Sequence, residues 1–173
     1  FYWKIGFCSE GEYKNRVIIP SFNCDGYLNY FVARSFGTEW PRYKNPVAKK
    51  DIIFNELYID WTEPVVLVEG IFDAIKAGAN AIPILGSTLR ERTRLFQAIV
   101  EHNPIVYVAL DKDATEKSYR IINSLLQHDI RVYRVEIYEE DVGDLTKEEF
   151  RVAKSRSELM NFDDYLLQQA LGI

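Results

Sequence analysis

VVLVEGIFDAI, residues Val65–Ile75, is the stretch whose reading decides the fold. Four apolar residues run straight into Glu69–Gly70, and Ile71–Ala77 then reads as a short helix closed by Gly78. A continuous apolar run of this kind is a strand buried on both faces, the kind found in parallel sheets covered by helices. Ligands of such sheets collect just beyond the carboxyl ends of the strands. Glu69 stands at that edge. VYVALDKDA, residues Val106–Ala114, repeats the arrangement with Asp111 and Asp113. Two apolar strands delivering carboxylates to one edge point to a site for a hard metal ion.

Working outward, the alternation of strand and helix continues. Ala81–Leu85 reads as a second strand, and Gly86-Ser87-Thr88 leads into a helix carrying Leu89, Leu95, Phe96, Ile99 and Val100. Asn103-Pro104 ends that helix, because proline disfavours helical backbone in the residue before it. Ile105–Leu110 is a third strand, and Ala114–His128 a helix with Ile121, Ile122, Leu125 and Leu126 on its apolar face. Ile130–Ile137 alternates apolar and charged residues and reads as an edge strand. Thr146 and Glu149 form a capping box that opens a helix through Lys154. A last amphipathic helix after Asn161 would use Phe162, Tyr165, Leu166, Leu167 and Leu171. This predicts an α/β domain with a mostly parallel sheet and flanking helices.

Upstream of Pro64 the pattern is different. RVIIP (Arg16–Pro20) is a short strand, Asn23-Cys24-Asp25-Gly26 supplies turn chemistry, and YLNYFVAR (Tyr27–Arg34) is the returning strand of a hairpin. Gly37–Pro46 is a loop carrying Trp40, Arg42, Tyr43, Lys44 and Asn45. Aromatic and basic residues interleaved on a loop can stack on bases while pairing with phosphates; they can equally pack the loop down.

The chain has 173 residues and a formal net charge of −5, unevenly spread. Between Lys14 and Lys50 seven basic residues face only Asp25 and Glu39, so this segment is locally cationic while the rest is strongly acidic. A cationic part that grips phosphate and an acidic part that holds metal suit one enzyme. Cys8 and Cys24 cannot build a disulfide framework, and their spacing from each other and from His102 and His128 does not make a zinc knuckle. Both cysteines are expected to be small buried residues. No apolar run is long enough to span a bilayer, so no membrane partner and a cytoplasmic location are expected. The chain opens on Phe1, as a domain excised from a longer protein would.

Acids fall after three strands: Glu69, then Asp111 with Asp113, then Asp141 or Asp144. If Asp111-Lys112-Asp113 is extended, both carboxylates share a direction and Lys112 points away. Oxygen donors without cysteine or histidine select Mg²⁺ or Mn²⁺ over zinc. Such an ion can bridge substrate phosphates in phosphoryl transfer. A lone acid after a strand is more often a solvated loop residue or a helix cap. Glu69 and Asp73 can belong to the helix start that follows them, and Ser87 and Thr88 can cap a helix or hold phosphate.

With these motifs in order, VVLVEGIFDAI, ILGST (Ile84–Thr88) and VALDKDA (Val108–Ala114), the chain resembles the Toprim domain shared by topoisomerases, primases, some repair proteins and some nucleases. RVIIP, DGYLNYFVAR and WPRYKNP further resemble the basic subdomain that precedes Toprim in DnaG-type primases, with a compactness similar to a bacteriophage member. The resemblance covers roughly Lys14–Phe150. It implies synthesis of short RNA primers on a single-stranded DNA template from ribonucleoside triphosphates, with Mg²⁺ or Mn²⁺. Glu69, Asp111 and Asp113 would be catalytic, the three with Asp144 would hold metal, and Arg16, Arg34, Arg42 and Lys44 would hold template or nucleotide. A replicative helicase would be engaged through parts outside this chain, as would the family's zinc module. The family has glycine where Lys112 stands and lysine where Arg42 stands. DVGDLTKEE departs from its usual last acidic loop, and Leu145 favours Asp144 over Asp141.

The expected organisation is a β-rich basic subdomain over residues 1–62, a catalytic domain over 63–156 and a terminal helix over 157–173. A Toprim nuclease, a topoisomerase fragment and a non-catalytic nucleic-acid-binding module are the competing readings. A topoisomerase would need a nucleophilic tyrosine on a separate domain, and a nuclease has no need of the cationic segment.

Overall fold

A computed structural model describes residues 3–48, 51–86, 89–137 and 142–163. The chain divides into two compact units, Phe1–Ile59 and Asp60–Ile173.

The first unit is built on a three-stranded antiparallel sheet of β1 (Gly6–Cys8), β2 (Arg16–Phe22) and β3 (Leu28–Ser35), in the order β1-β2-β3. The hairpin joining β2 and β3 is closed by the predicted turn. Asn23 exchanges backbone hydrogen bonds with Tyr27 and Gly26, and its side-chain oxygen accepts from the Tyr27 N–H at 2.8 Å. Gly26 adopts φ +83°, a left-handed conformation that glycine takes without a Cβ penalty. Ile19, Tyr30, Val32, Ala33, Ile53 and Phe54 form this unit's core. The Ser21 hydroxyl accepts from the Asn55 N–H at 2.9 Å, and the Asn55 side chain accepts in turn from the Phe22 N–H at 3.3 Å. These bonds tie the segment after the loop back onto β2. β1 escaped the sequence reading because three residues carry too little pattern. Cys24 lies exposed in the hairpin turn and Cys8 is half-exposed at the end of β1. Neither is the buried residue expected, since both sit where the chain leaves the sheet.

The second unit is a five-stranded sheet of order β5-β4-β6-β7-β8. β4 (Val65–Val68), β5 (Ala81–Pro83), β6 (Val106–Val108) and β7 (Val132–Arg134) are parallel, and β8 (Glu158–Leu159) adds antiparallel to β7. The helices are α1 (Ile71–Ala77), α2 (Arg94–His102), α3 (Thr115–Leu126) and α4 (Lys147–Ser155). This is the α/β architecture expected, with a parallel sheet flanked by helices and a separate antiparallel sheet before it. Every residue of β4 and β5 is buried, as a continuous apolar run requires. Phe96, Ile99, Ile121, Ile122 and Leu125 from α2 and α3 join the same core.

β4 and α1 occupy the residues predicted for them. α4 opens on the capping box, with the Thr146 N–H donating to the Glu149 carboxylate at 2.7 Å and the Glu149 N–H to the Thr146 hydroxyl at 3.2 Å. α2 ends at Asn103, left-handed at φ +48°, directly before Pro104. It begins only at Arg94, capped by Thr93, so Leu89 is buried outside the helix.

β7 is not an edge strand. β8 covers it, with Tyr133 opposite Leu159 and Arg134 opposite Glu158. A two-residue strand after a helix leaves no periodicity to read, and without it β7 looks exposed. The expected terminal helix, with Tyr165, Leu166, Leu167 and Leu171, falls beyond Asp163 outside the described residues, as do Ser87, Thr88 and Asp141.

Candidate metal and nucleic-acid site

Strand order places the acids. β4 is followed in the chain by β5 on one side of it, whereas β6 is followed by β7 on the other. The connections leaving β4 and β6 therefore diverge, and a crevice opens between their carboxyl ends. This is a topological switch point, where open parallel sheets bind their ligands. Glu69 leaves β4 and Asp111 leaves β6 beside it. Leu67 pairs with Val108, and the Ala109 N–H donates to the Leu67 carbonyl at 2.9 Å, so the ladder holds both exits in register.

The Glu69 carbonyl accepts from the Leu85 N–H at 3.0 Å. Leu85 is itself left-handed, φ +53°, a conformation that costs a non-glycine residue roughly 1 kcal/mol. The Glu69 carboxylate lies 3.4 Å from the Lys117 ammonium, which projects from the first turn of α3. Gly70 caps α1, and its N–H donates to the Asp73 carboxylate at 2.7 Å. Asp73 is thereby a buried helix cap. Gly70 has an extended backbone open to any residue, φ −122°; a Cβ there would approach the Asp73 carboxylate to 3.1 Å. Its lack of a side chain makes room for that cap.

Asp111 is extended, but the chain then turns at once. Lys112–Ala114 is a 3-10 turn, with the Ala114 N–H donating to the Asp111 carbonyl at 2.9 Å. The alternation argument for Asp111 and Asp113 therefore fails, because tightening into α3 takes Asp113 off an extended path. Asp113 is exposed. The Asp111 side chain accepts from the Val142 N–H at 3.3 Å. Val142–Asp144 is another 3-10 turn, anchored by buried Val142 and followed by buried Leu145, with Asp144 exposed at its end. That turn also packs against α1, so Asp144 shares the neighbourhood of Asp111 and of the helix that follows Glu69.

Carboxylates alone are the right donors for Mg²⁺ or Mn²⁺, and they stand at the edge where such an ion would sit. Among the described residues, however, no three acids, histidines or cysteines are gathered closely enough to hold an ion. The donor chemistry fits a hard dication. The charge beside Glu69 is supplied by Lys117.

The basic residues of the first unit fall into two kinds. Arg16 is 3 % exposed and donates to the Arg42 carbonyl at 3.2 Å, so its guanidinium is spent inside the unit, bracing the loop after β3. Arg34, Arg42 and Lys44 lie nearer solvent. The loop runs back along β3: the Ser35 N–H donates to the Arg42 carbonyl and the Lys44 N–H to the Ala33 carbonyl, each at 2.9 Å. Arg34 lies over the Tyr43 ring with its guanidinium carbon 5.6 Å from the centroid. Lys44 reaches the Glu12 carboxylate at 3.1 Å. Trp40, between them, is 89 % exposed. Packing the loop down therefore does not occupy Trp40. Lys49 and Lys50 lie outside the described residues.

The loop is also pinned by Glu39, whose carboxylate accepts from the Asn15 side-chain amide and from the Ser35 hydroxyl. The Asn15 hydrogen bond foremost, then its own backbone N–H, the Ser35 hydroxyl and the Arg16 charge, hold the Glu39 carboxyl below its ordinary value. Unfolded, Glu39 takes up a proton near pH ~4.3; folded, it does so only at lower pH. Its contribution to stability is complete above the unfolded value and is lost as pH falls through the folded one. Glu39→Gln is therefore expected to flatten the acid limb of this unit's stability, read by hydrogen exchange of the β2 and β3 amides below pH ~4.3. An unchanged limb would remove Glu39 from the loop's anchoring.

Comparison with solved structures gives the fold. The catalytic domain of DnaG primase bound to single-stranded DNA superposes with a TM-score of 0.72 at 17% identity, over 95% of this chain and 59% of that one. The fold is that of a DnaG-type primase core. The Aquifex aeolicus primase, solved as its zinc-binding and RNA polymerase domains, matches at TM-score 0.69 and 24% identity, over 87% of this chain and 42% of that one. A DNA primase domain from Pseudomonas aeruginosa matches at 0.67 and 23%, over 95% and 59%. The chain thus spans about two fifths to three fifths of these structures. No protein-family model and no curated protein matches the sequence. No helix among the described residues is long and apolar enough to cross a membrane.

Proposed function

We propose that this chain is the catalytic core of a DNA primase, a nucleotidyltransferase that makes short RNA primers on single-stranded DNA. One observation carries the reading: Glu69 and Asp111 leave neighbouring strands at the switch point of a sheet whose fold is that of primase cores. The bound DNA of the DnaG catalytic domain supports single-stranded template as the partner, and ribonucleoside triphosphates complete the reaction. A primer 3′-hydroxyl attacks the α-phosphate of the incoming nucleotide, the new P–O bond forms, and pyrophosphate leaves. Bound Mg²⁺ or Mn²⁺ would lower the cost of charge building on the phosphate.

In this reading Glu69, Asp111, Asp113 and Asp144 would be drawn together on the ion, and Glu69 would serve as a ligand or take the hydroxyl proton. Asp111 is oriented by the Val142 N–H, and the turn that orients it also presents Asp144. Arg34, Arg42 and Lys44 neutralise template or nucleotide phosphates, Trp40 offers a face to a base, and Arg16 contributes by holding their loop. A replicative helicase would be engaged through segments outside this chain, in the cytoplasm of a bacterial cell or a phage-infected host.

The test is incubation with single-stranded DNA, labelled ribonucleoside triphosphates and Mg²⁺ or Mn²⁺. Labelled oligoribonucleotides support the proposal. Template breakdown would make the chain a nuclease, and binding without either product a binding module. Within this reading, Arg34→Ala is expected to weaken template binding and to shallow its log–log salt slope by about 0.7, the counterion release of one single-strand phosphate contact. An unchanged slope would give Arg34 only its contact with Tyr43.

A further inference from the structure

We infer that Lys117 is a built-in cation of the carboxylate edge, one that competes with the divalent ion for Glu69 and so sets the protein's metal affinity. The inference rests on the reading of Glu69 as a metal ligand given above. Its own basis is the ion pair: the Lys117 ammonium lies 3.4 Å from the Glu69 carboxylate, with the side chains only 21% and 25% exposed. The partners are 48 positions apart, one at the exit of β4 and the other in the first turn of α3, so tertiary structure alone joins them. Partial burial weakens the screening that renders surface pairs inconsequential. A dication placed against the same carboxylate would repel the ammonium at close range, so the two positive groups exclude each other. Lys117 also holds the Glu69 side chain in one direction when no dication is bound. Ion binding then requires the ammonium to move aside, and part of the ion's attraction to Glu69 is used in displacing it.

The experiment is equilibrium Mn²⁺ binding to the whole chain, without DNA or nucleotide, read by the electron paramagnetic resonance signal of free Mn²⁺. Lys117→Gln is expected to tighten Mn²⁺ binding about tenfold, the scale of a typical coupling between two sites. Lys117→Arg, which keeps the charge, is expected to stay within about twofold of the parent, a change well below that coupling. In a Glu69→Gln background the Lys117→Gln substitution should no longer matter, since the two changes act on one interaction. Equal or weaker Mn²⁺ binding by folded Lys117→Gln overturns the inference. Lys117→Met, which keeps the aliphatic stem, is read the same way; loss of fold in both would make Lys117 structural and also overturn it. Glu69→Gln alone tests the underlying reading. If it leaves parental Mn²⁺ affinity unchanged, Glu69 is no ligand; if it weakens binding while Lys117→Gln has no effect, only the competition fails.

Discussion

Asp111→Asn and Glu69→Gln are each expected to lower primer synthesis at least about a thousandfold, some 4 kcal/mol of transition-state stabilisation at 1.36 kcal/mol per tenfold. Each exchange keeps shape and removes one negative charge from the edge between β4 and β6. For Asp111 the neutral amide can still offer an oxygen to the Val142 N–H, so the turn that presents Asp144 should stay docked. The loss then lies in charge and not in fold. Template affinity should hold within about twofold, because the proposed function assigns the phosphate contacts, and with them counterion release, to Arg34, Arg42 and Lys44. The measurement is labelled product per enzyme under single-turnover conditions, beside a titration with single-stranded DNA. Synthesis within tenfold of the parental rate would remove that acid from catalysis. A parallel loss of DNA binding would point instead to unfolding.

The largest expected effect on stability is at Phe96. Its side chain is fully buried, and its ring meets the His128 ring edge-on at 5.0 Å. Phe96→Ala should therefore cost about 3–5 kcal/mol, from lost burial and from the cavity left behind. Urea unfolding is the check: the midpoint should fall while the slope is kept, since the surface exposed on unfolding barely changes. Val152→Ala, at an exposed position of α4, should stay within about 0.5 kcal/mol and serves as the control. A cost below about 1 kcal/mol at Phe96 would mean that the helix collapses onto the gap.

How much of this was legible depended on where the physics is local. The run Val65–Val68 and the helix after Gly70 were readable because burial on both faces demands uninterrupted apolar residues. The Thr146–Glu149 box was readable because its two hydrogen bonds span three residues. Asp111-Lys112-Asp113 misled because the alternation rule holds only while the chain stays extended, and α3 draws it into a turn. The ion pair between Glu69 and Lys117, the burial of Arg16 under the Arg42 carbonyl and the pairing of β8 with β7 are products of tertiary contact. No window of sequence contains them. Glu69 and Asp111 could be named as edge acids from the sequence, but the divergence of the chain on either side of them required the strand order.

A strand on the margin of a sheet offers a row of unpaired backbone groups to any passing chain. At one margin the edge strand is β8, whose two residues, Glu158 and Leu159, pair inward with β7 and give a neighbour too short a run to extend. At the other, β5 ends in Pro83, which has no N–H, while the next donor, on Ile84, is turned inward to Val68. Both flanks are thus poor templates for a neighbour's strand. The sheet is finished sideways, and what it leaves open is its end, where the acids stand.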